Sequence, residues 1–233
     1  MALETATYIS DLVTTNPVDN TDTVASMGAH LRLLKSTVKT TLPNVTGAVT
    51  KTHTQLNNIP TLLATLTASN SASLSDTTSL TSTYKSYEFR FINMLPATDG
   101  QTLFFNVSID GGANWKTDTA YKYVFEETYT GVTSGGSAFS GTNAFGTIDN
   151  GTSNSATNGG MCGIMRVINP ANASGHKRFL VDVGTSYTSG SLLQSHMFGF
   201  TAYTGVTSAI NAIKFAYASG NITSGSIEIW GIP

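Results

Sequence analysis

The four histidines of the chain are the side chains whose type best suits acid–base or nucleophilic chemistry near neutral pH. His30 falls on a predicted helix and His53 in a Ser/Thr-rich segment, whereas His176 and His196 fall in strand-like segments. No Gly-x-Ser-x-Gly element stands between a strand and a helix, as a nucleophile elbow requires. We therefore predict structural or solvated histidines and no catalytic residues.

The acidic residues do not indicate the paired carboxylates that a polysaccharide-cleaving enzyme needs. Glu126 and Glu127 are adjacent on one predicted strand, so their side chains face opposite sides. Asp110 precedes two glycines and favours a turn for backbone reasons. A calcium site at Asp99 or Asp110 would need converging oxygens from other segments. We predict that the protein is not an enzyme and holds no metal or cofactor; a polysaccharide-degrading spike is the alternative from another function class.

The sequence also gives no support for a disulfide, a cysteine-based metal site or a phosphate-binding loop. Cys162 is the single cysteine, which excludes an intrachain disulfide and a Cys-based zinc site. It lies in the apolar run Met161–Ile164, so we predict a buried, inert thiol. The chain has no Gly-x-x-x-x-Gly-Lys-Ser/Thr element, and its Gly-Gly pairs are typical of turns.

Composition narrows the classes of partner. Charged residues make up 11% of the chain, against about 25% in an ordinary globular protein, and the net charge is −2. A nucleic-acid partner is therefore not expected. The sequence shows no signal peptide and no apolar run of about 20 residues, so we expect no membrane insertion. With 40% hydrophobic residues the chain can bury one sizeable core.

Residues 22–42 carry the clearest helical pattern. Asp22 or Thr23 can cap the helix, and Pro43 ends it. Apolar residues recur at spacings of three and four. This spacing is typical of the seam of a coiled coil, and it fits equally well a single amphipathic helix that lies on its own domain. The seam residues are Val24, Met27, Leu31, Leu34 and Val38.

The flanking segments lack a core of their own. Residues 1–21 are predicted to be an extended arm whose apolar side chains pack on another chain. These candidate attachment residues are Tyr8, Ile9, Leu12 and Val13. Residues 51–85, where Pro60 interrupts a weak seam, are predicted to be a stalk or linker.

Residues 86–233 switch to an alternation with period two. Tyr87, Phe89 and Phe91 alternate with polar residues, and about eight such runs follow, separated by Gly, Asn or Pro. This pattern predicts an antiparallel β-sandwich, most simply a jelly roll. The predicted fold class is therefore mainly β: an extended N-terminal arm and a short α-helical segment at residues 1–50, a stalk, and a C-terminal sandwich.

One long insertion interrupts the strand pattern. Thr130 to Gly160 is almost all Gly, Ser, Thr, Asn and Ala, with Phe139 and Phe145 as isolated aromatic residues. Long structureless loops are often functional, so we predict a loop at the tip of the sandwich or a strap on a neighbouring subunit. Phe139 and Phe145 are candidate contacts to a host glycan, and packing in the core or a subunit interface is the alternative for such aromatic residues.

Several short blocks occur in a fixed order between residues 8 and 50. They are Tyr8-Ile9-Ser10-Asp11-Leu12, Asn16-Pro17, His30-Leu31-Arg32-Leu33-Leu34-Lys35 and Pro43-Asn44-Val45-Thr46-Gly47. This segment resembles the N-terminal particle-attachment segment of bacteriophage tail-fibre and minor virion proteins. Many members carry an acidic pair before the histidine, where this chain has Gly28 and Ala29. The closing segment 225–232, and Ser108–Gly112 with Trp115, resemble phage virion sandwich domains more loosely.

The resemblance implies a structural role in a virion. In that family the N-terminal segment is attached to the particle, the C-terminal domain points outward, and the fibres are commonly trimers. The expected partners are two further copies of the chain, an adaptor, tail or capsid protein, and a host-surface glycan. A short tail or adaptor fibre is the first expectation, and a capsid head fibre or decoration protein is the alternative.

Overall fold

The secondary structure of this computed structural model falls into two units, Met1–Leu56 and Asn57–Pro233. The structure describes residues 5–13, 24–45, 47–129, 137–157, 160–186 and 194–233. In the first unit, Ile9–Asp11 form a single 3-10 turn and Val24–Thr41 form helix α1. A short helix, α2, spans His53–Asn57 at the boundary. No helix in the described part of the chain is long and apolar enough to cross a membrane.

The helix predicted over residues 22–42 is therefore present over Val24–Thr41, and its predicted caps Asp22 and Thr23 lie outside the described residues. Pro43 follows directly on the last turn, where Leu42 N donates to Val38 O at 3.0 Å. Lys39 stands in that last turn, at the negative end of the helix dipole.

The described residues of the second unit form twelve strands. They are β1 Thr61–Thr67, β2 Leu74–Asp76, β3 Ser86–Pro96, β4 Leu103–Ser108, β5 Tyr121–Tyr129, β6 Ser137–Asn143, β7 Gly146–Thr147, β8 Met161–Ile168, β9 Lys177–Ser186, β10 Gln194–Tyr203, β11 Ala212–Tyr217 and β12 Ile222–Ile232. They pair into an eight-stranded sheet, β1-β12-β3-β8-β9-β10-β5-β6, and a four-stranded sheet, β2-β11-β4-β7, with antiparallel pairs throughout.

The pairing of the strands is nested. β1 pairs with β12, β2 with β11, β3 with β8, and β4 with β7, so the chain folds back on itself as one long hairpin. The hairpins β5–β6 and β9–β10 are inserted into this scheme and widen the large sheet on one side. The predicted antiparallel β-sandwich is thus confirmed at the level of two facing antiparallel sheets.

Aromatic side chains fill the space between the sheets. Phe89 of the large sheet meets Phe215 of the small sheet with ring centroids 5.5 Å apart, and Phe105 of the small sheet meets Phe179 of the large sheet at 4.4 Å. These four rings are almost completely buried. The alternation that predicted the strands is visible on β9, where Phe179 points inward and Leu180 faces solvent.

The predicted stalk at residues 51–85 is wrong for most of its length. β1 and β2 lie within it and extend the edges of the large and small sheets, and Leu74 and Leu80 are buried. Most side chains of β1 are exposed or half-buried, so the strand carries little apolar alternation. Its main contribution is the backbone ladder to β12, which side-chain periodicity does not report.

The predicted structureless insertion at Thr130–Gly160 is also wrong within the described residues. It contains β6 and β7, Ile148 is fully buried, and Thr152 forms a bridge with Gln101. Small residues are required here by close packing. A Cβ atom on Gly146 would lie 2.1 Å from the Phe105 ring, so only glycine fits.

Cys162 is exposed, so the predicted burial of its thiol is wrong. The reason is its phase on β8: Met161 and Met165 face the core, and Cys162 faces the opposite side. Asn93 N, on the neighbouring irregular part of β3, donates to Cys162 Sγ at 3.2 Å.

A truncation distinguishes the observed boundary from the predicted one. A chain that starts at Asn57 should unfold in a single cooperative thermal transition, because it keeps all twelve strands. A chain that starts at Ser86 loses two edge strands and the burial of Leu74 and Leu80, each worth about 1.5–3 kcal/mol. It should lack that transition when followed by circular dichroism. Equal midpoints for the two chains would contradict this assignment of β1 and β2.

Candidate functional site

One side of α1 is an exposed apolar stripe in the single chain. Met27 is 61% exposed and Val38 is 42% exposed, with Leu31 and Leu34 between these values. The side chain of Val24, the first predicted seam position, lies outside the described residues. The stripe continues past the predicted seam to Leu42 and Val45, which are also exposed. We call the residues Met27, Leu31, Leu34, Val38 and Leu42 the helix seam.

A groove of about 690 Å³ runs along the C-terminal half of the helix seam. Lys35 and Lys39 form part of its wall beside the apolar side chains. Their aliphatic stems can cover apolar surface while the ammonium groups stay in water. The groove therefore offers an apolar floor with a basic margin to an incoming helix or segment.

The opposite side of α1 is used within the chain. Thr37 is fully buried, and Leu33 and Thr41 are half-buried at the same helical phase. Ile9 N donates to Thr41 Oγ1 at 2.9 Å, which places the 3-10 turn against the end of this side. Among the described residues, the helix seam is thus exposed while the other face of α1 is occupied.

The predicted arm is compact at Ile9–Asp11, so an extended conformation is wrong for these residues. The Asp11 carboxylate accepts hydrogen bonds from Thr7 N at 3.0 Å and Tyr8 N at 2.9 Å, which closes the turn. An acidic residue three positions after the first residue of a turn is a capping signal that sequence analysis missed. Residues 1–4 and 14–23 lie outside the described residues.

The predicted attachment residues lie on and beside this turn. Tyr8, Ile9 and Val13 are exposed, and Leu12 is half-buried. Three of the four apolar side chains are therefore available to a partner, on a turn whose backbone is fixed by Asp11 and by the bond to Thr41.

The two predicted glycan contacts do not form an exposed pair in the described structure. Phe145 is half-buried and packs on Phe104 with ring centroids 4.7 Å apart. Phe139 lies on β6, and its side chain is outside the described residues. Phe104 is also half-buried, and neither ring belongs to the central core between the sheets.

The candidate catalytic groups are dispersed. Asp182 Oδ1 lies 2.7 Å from His196 Nε2 on the outer face of the large sheet, where both side chains are exposed. Glu126 is exposed and Glu127 is buried, as adjacent residues on one strand require. No group of three or more His, Cys, Asp or Glu side chains that could hold a metal ion occurs among the described residues.

The predicted turn at Asp110 has a local structural role. Its carboxylate accepts from Ser108 Oγ at 2.6 Å and from Asn114 N at 2.9 Å. These hydrogen bonds stabilise the charged form and lower the pKa of Asp110 to about 2.

A buried carboxyl group at Asp149 was not predicted. Its oxygens accept from Leu103 N at 2.6 Å and from the Thr152 hydroxyl, whose oxygen in turn accepts from Thr185 Oγ1 at 3.2 Å. Burial raises the pKa of Asp149 to about 7, and the neighbouring carboxylate of Glu127 adds to the increase. The residue lies in Ile148–Gly151, which reads as a turn, so no sequence signal marked it.

The arrangement at Asp149 can hold a proton within the sandwich. Glu127 accepts from Asn150 Nδ2 at 3.1 Å, so both carboxyl groups are tied to the same loop after β7. Asp149 has no exposed surface, which leaves it no contact with a substrate. Its raised pKa would therefore act on the pH dependence of stability.

Comparisons with protein-family models, with curated proteins and with solved structures found no match for this chain.

The titration of Asp149 predicts a falling stability with rising pH. Its folded-state pKa of about 7 is above the ordinary value of 3.8, so the folded state binds more protons between these values and loses stability as the pH rises through them. The complete effect is on the order of 4 kcal/mol. Asp149→Asn keeps the acceptor for Leu103 N and should make the free energy of unfolding almost constant between pH 5 and pH 8, as measured by urea denaturation.

Asp110→Asn is the matched control. Asp110 is ionised in both states over that pH range, so this change should leave the wild-type pH dependence intact. A wild-type curve that is flat, or an Asp149→Asn curve that stays steep, would show that Asp149 does not hold its proton.

Proposed function

We propose that this protein is a structural component of a tailed-bacteriophage virion: a short homotrimeric fibre whose N-terminal unit docks on the particle and whose sandwich points outward. The observation that carries this proposal is the exposed helix seam on a helix whose other face is occupied. The resemblance of residues 8–50 to phage attachment segments supplies the virion context.

Self-association is supported by the chemistry of the helix seam. Its apolar residues follow one another at spacings of four, three, four and four, which is close to the alternation of three and four that knobs-into-holes packing uses. Full burial of a Leu or Val side chain contributes about 1.5–3 kcal/mol, so several half-exposed positions per chain provide a substantial driving force. A parallel assembly would bring Lys35 and Lys39 to its margin, where they stay hydrated.

Particle attachment is supported by the 3-10 turn. Tyr8, Ile9 and Val13 present apolar side chains from a fixed backbone, which reduces the conformational entropy lost on docking. The turn is held to α1 through Thr41, so attachment and self-association would use adjacent but separate surfaces of one unit.

A jelly roll is the finer fold that we propose for the sandwich. Without the two inserted hairpins, eight strands remain, in the nested pairs β1–β12, β2–β11, β3–β8 and β4–β7. Such nesting of one long hairpin across two sheets is the arrangement expected of a jelly roll, a fold common in viral structural proteins.

The helix seam can be tested by Leu34→Asp. The charged side chain would lie in an apolar contact and cost on the order of 3 kcal/mol per chain, so the trimer should dissociate to monomers. Ser36→Asp is the matched control, because Ser36 is exposed and lies off the seam. Light scattering gives the molar mass of each variant. A Leu34→Asp variant that remains trimeric would overturn the threefold role of the helix seam. A wild-type chain that does not associate through α1 would overturn it as well.

Attachment can be tested with Tyr8→Asp in a phage that encodes the protein. Tyr8 is half exposed, so the change should leave folding and trimer mass unaltered and reduce the amount of protein on purified particles at least about tenfold. Thr5→Asp adds the same charge at an exposed residue outside the predicted contact. Quantitative immunoblotting of particles gives the copy number, and labelling the protein for electron microscopy shows whether it lies on the tail, the head–tail adaptor or the capsid. Equal incorporation of the two variants would contradict docking through Tyr8.

A further inference from the structure

The outer face of the large sheet carries a second apolar surface, separate from the helix seam. It lies where β8, β9, β10 and β5 run side by side. Leu180, Phe198, Phe200 and Val124 are each 39–47% exposed there. A groove of about 420 Å³ lies among Ile164, Leu180, Phe198 and Phe200.

The strand register arranges the outward residues of these strands in rows, and three of these rows matter for a contact; a fourth row, Cys162, Gly184, His196 and Thr128, lies beside them. The acidic row is Ile164, Asp182, Phe198 and Glu126; the apolar row is Arg166, Leu180, Phe200 and Val124; the basic row is Ile168, Arg178, Ala202 and Lys122. Acidic and basic rows lie four residues apart along each strand, which is about 13 Å. Asp182 and Arg178 of one chain are therefore too far apart to pair with each other.

Arg166 is the cation of the apolar row. It pairs with Glu88 within the chain, and because Arg90 pairs with the same carboxylate, the three side chains keep one net positive charge. The Arg166 guanidinium donates to Glu88, which also accepts from Arg90 Nε at 2.8 Å, and these bonds keep the pKa of Glu88 below its ordinary value against the opposing effect of burial. The charged side chains of the acidic and basic rows are exposed, and among them Asp182 also lies 2.7 Å from His196 Nε2 of the same chain.

We infer that this face binds the same face of a second copy about a two-fold axis that runs along the apolar row. Such an axis places each residue of the acidic row opposite the basic-row residue of the same strand in the other copy. Asp182 then faces Arg178 on β9, and Glu126 faces Lys122 on β5. The contact is complementary in charge at four places, since each pair occurs twice.

The same two-fold axis also brings side chains of complementary size together. On β10 the axis places Phe198 opposite Ala202, so a large ring meets the smallest side chain of its strand's outward face. On β8 it places Ile164 opposite Ile168. The central β10 strand therefore combines an apolar contact with a fit of shape, while the flanking strands β9 and β5 carry the charge pairs.

The dimensions of the face suit a specific contact. Four strands about 4.8 Å apart, with about seven residues rising about 3.4 Å each, give a flat area of about 450 Å² per copy. The pair approaches the total of about 1,000 Å² that separates specific interfaces from incidental ones. Two sheets packed face to face lie about 10 Å apart, which such side chains fill.

This inference does not depend on the proposed virion role. The contact joins two sandwich units through the sheet, whereas the proposed threefold contact is made by α1. A chain with both contacts would form assemblies in which trimers are joined in pairs, so six chains are the smallest closed set.

Charge reversal tests the two-fold contact on the full-length chain. Asp182→Arg places Arg opposite Arg178, and Arg178→Asp places Asp opposite Asp182, so each variant alone should raise the dissociation constant of the sheet contact roughly 100-fold. An equimolar mixture of the two variants should associate as wild type does, because every facing pair is then opposite in charge. Sedimentation velocity measures all three samples.

The same substitutions in chains that also carry Leu34→Asp isolate the sheet contact from α1. The Leu34→Asp chain with no change in the rows should then form dimers. Each single charge reversal should give monomers, and the equimolar mixture of the two reversals should form dimers again. Thr128→Arg, an exposed position on β5 outside the three rows, controls for added charge and should leave the dimers intact. The inference would be overturned if the chain with wild-type rows is monomeric at 100 μM, or if the mixture does not reassociate. A monomer that binds a glycan through Phe198 and Phe200 would also overturn it.

Discussion

The contact between Phe105 and Phe179 joins the two sheets of the sandwich and constrains much of what surrounds it. Because the Phe105 ring occupies the space beside β7, residue 146 must be glycine. The same ring meets the edge of Tyr121 at 5.9 Å, and the Tyr121 hydroxyl accepts from Val107 N at 3.0 Å. These contacts fix the inserted strand β5 against the small sheet. The outer face of the large sheet, which includes β5 and β9, is therefore built on this inner contact.

The elements that could be predicted from the sequence are those with regular apolar periodicity. α1 and the strands after residue 86 have it, because their buried faces select for large apolar side chains. β1, β6 and β7 do not, since pairing at a sheet edge or packing beside a large ring requires backbone or small residues instead. Cys162 was misplaced for a related reason: a short apolar run gives no phase, and only the register of β8 with its neighbours decides which face it takes.

The candidate surfaces divide in the same way. The helix seam follows from spacing alone, and the structure adds that the opposite face of α1 is occupied through Thr37 and Thr41. The three rows on the large sheet could not be predicted, because Asp182, Phe198 and Glu126 become neighbours only through the pairing of β9, β10 and β5. The buried carboxyl group of Asp149 likewise depends on β4, whose Leu103 N binds it across 46 residues of sequence.

The scarcity of charge gives these surfaces a common consequence. With 11% charged residues and a net charge of −2, copies of the chain repel one another weakly at any distance. Dense assembly therefore meets little electrostatic opposition, and its specificity must come from the few charges present. Four of them, Asp182, Arg178, Glu126 and Lys122, lie as two opposite pairs on either side of one apolar row. In a more highly charged protein, many other charges would outweigh such a pattern. In this chain these four residues are a large part of the charge on the face that one copy presents to another.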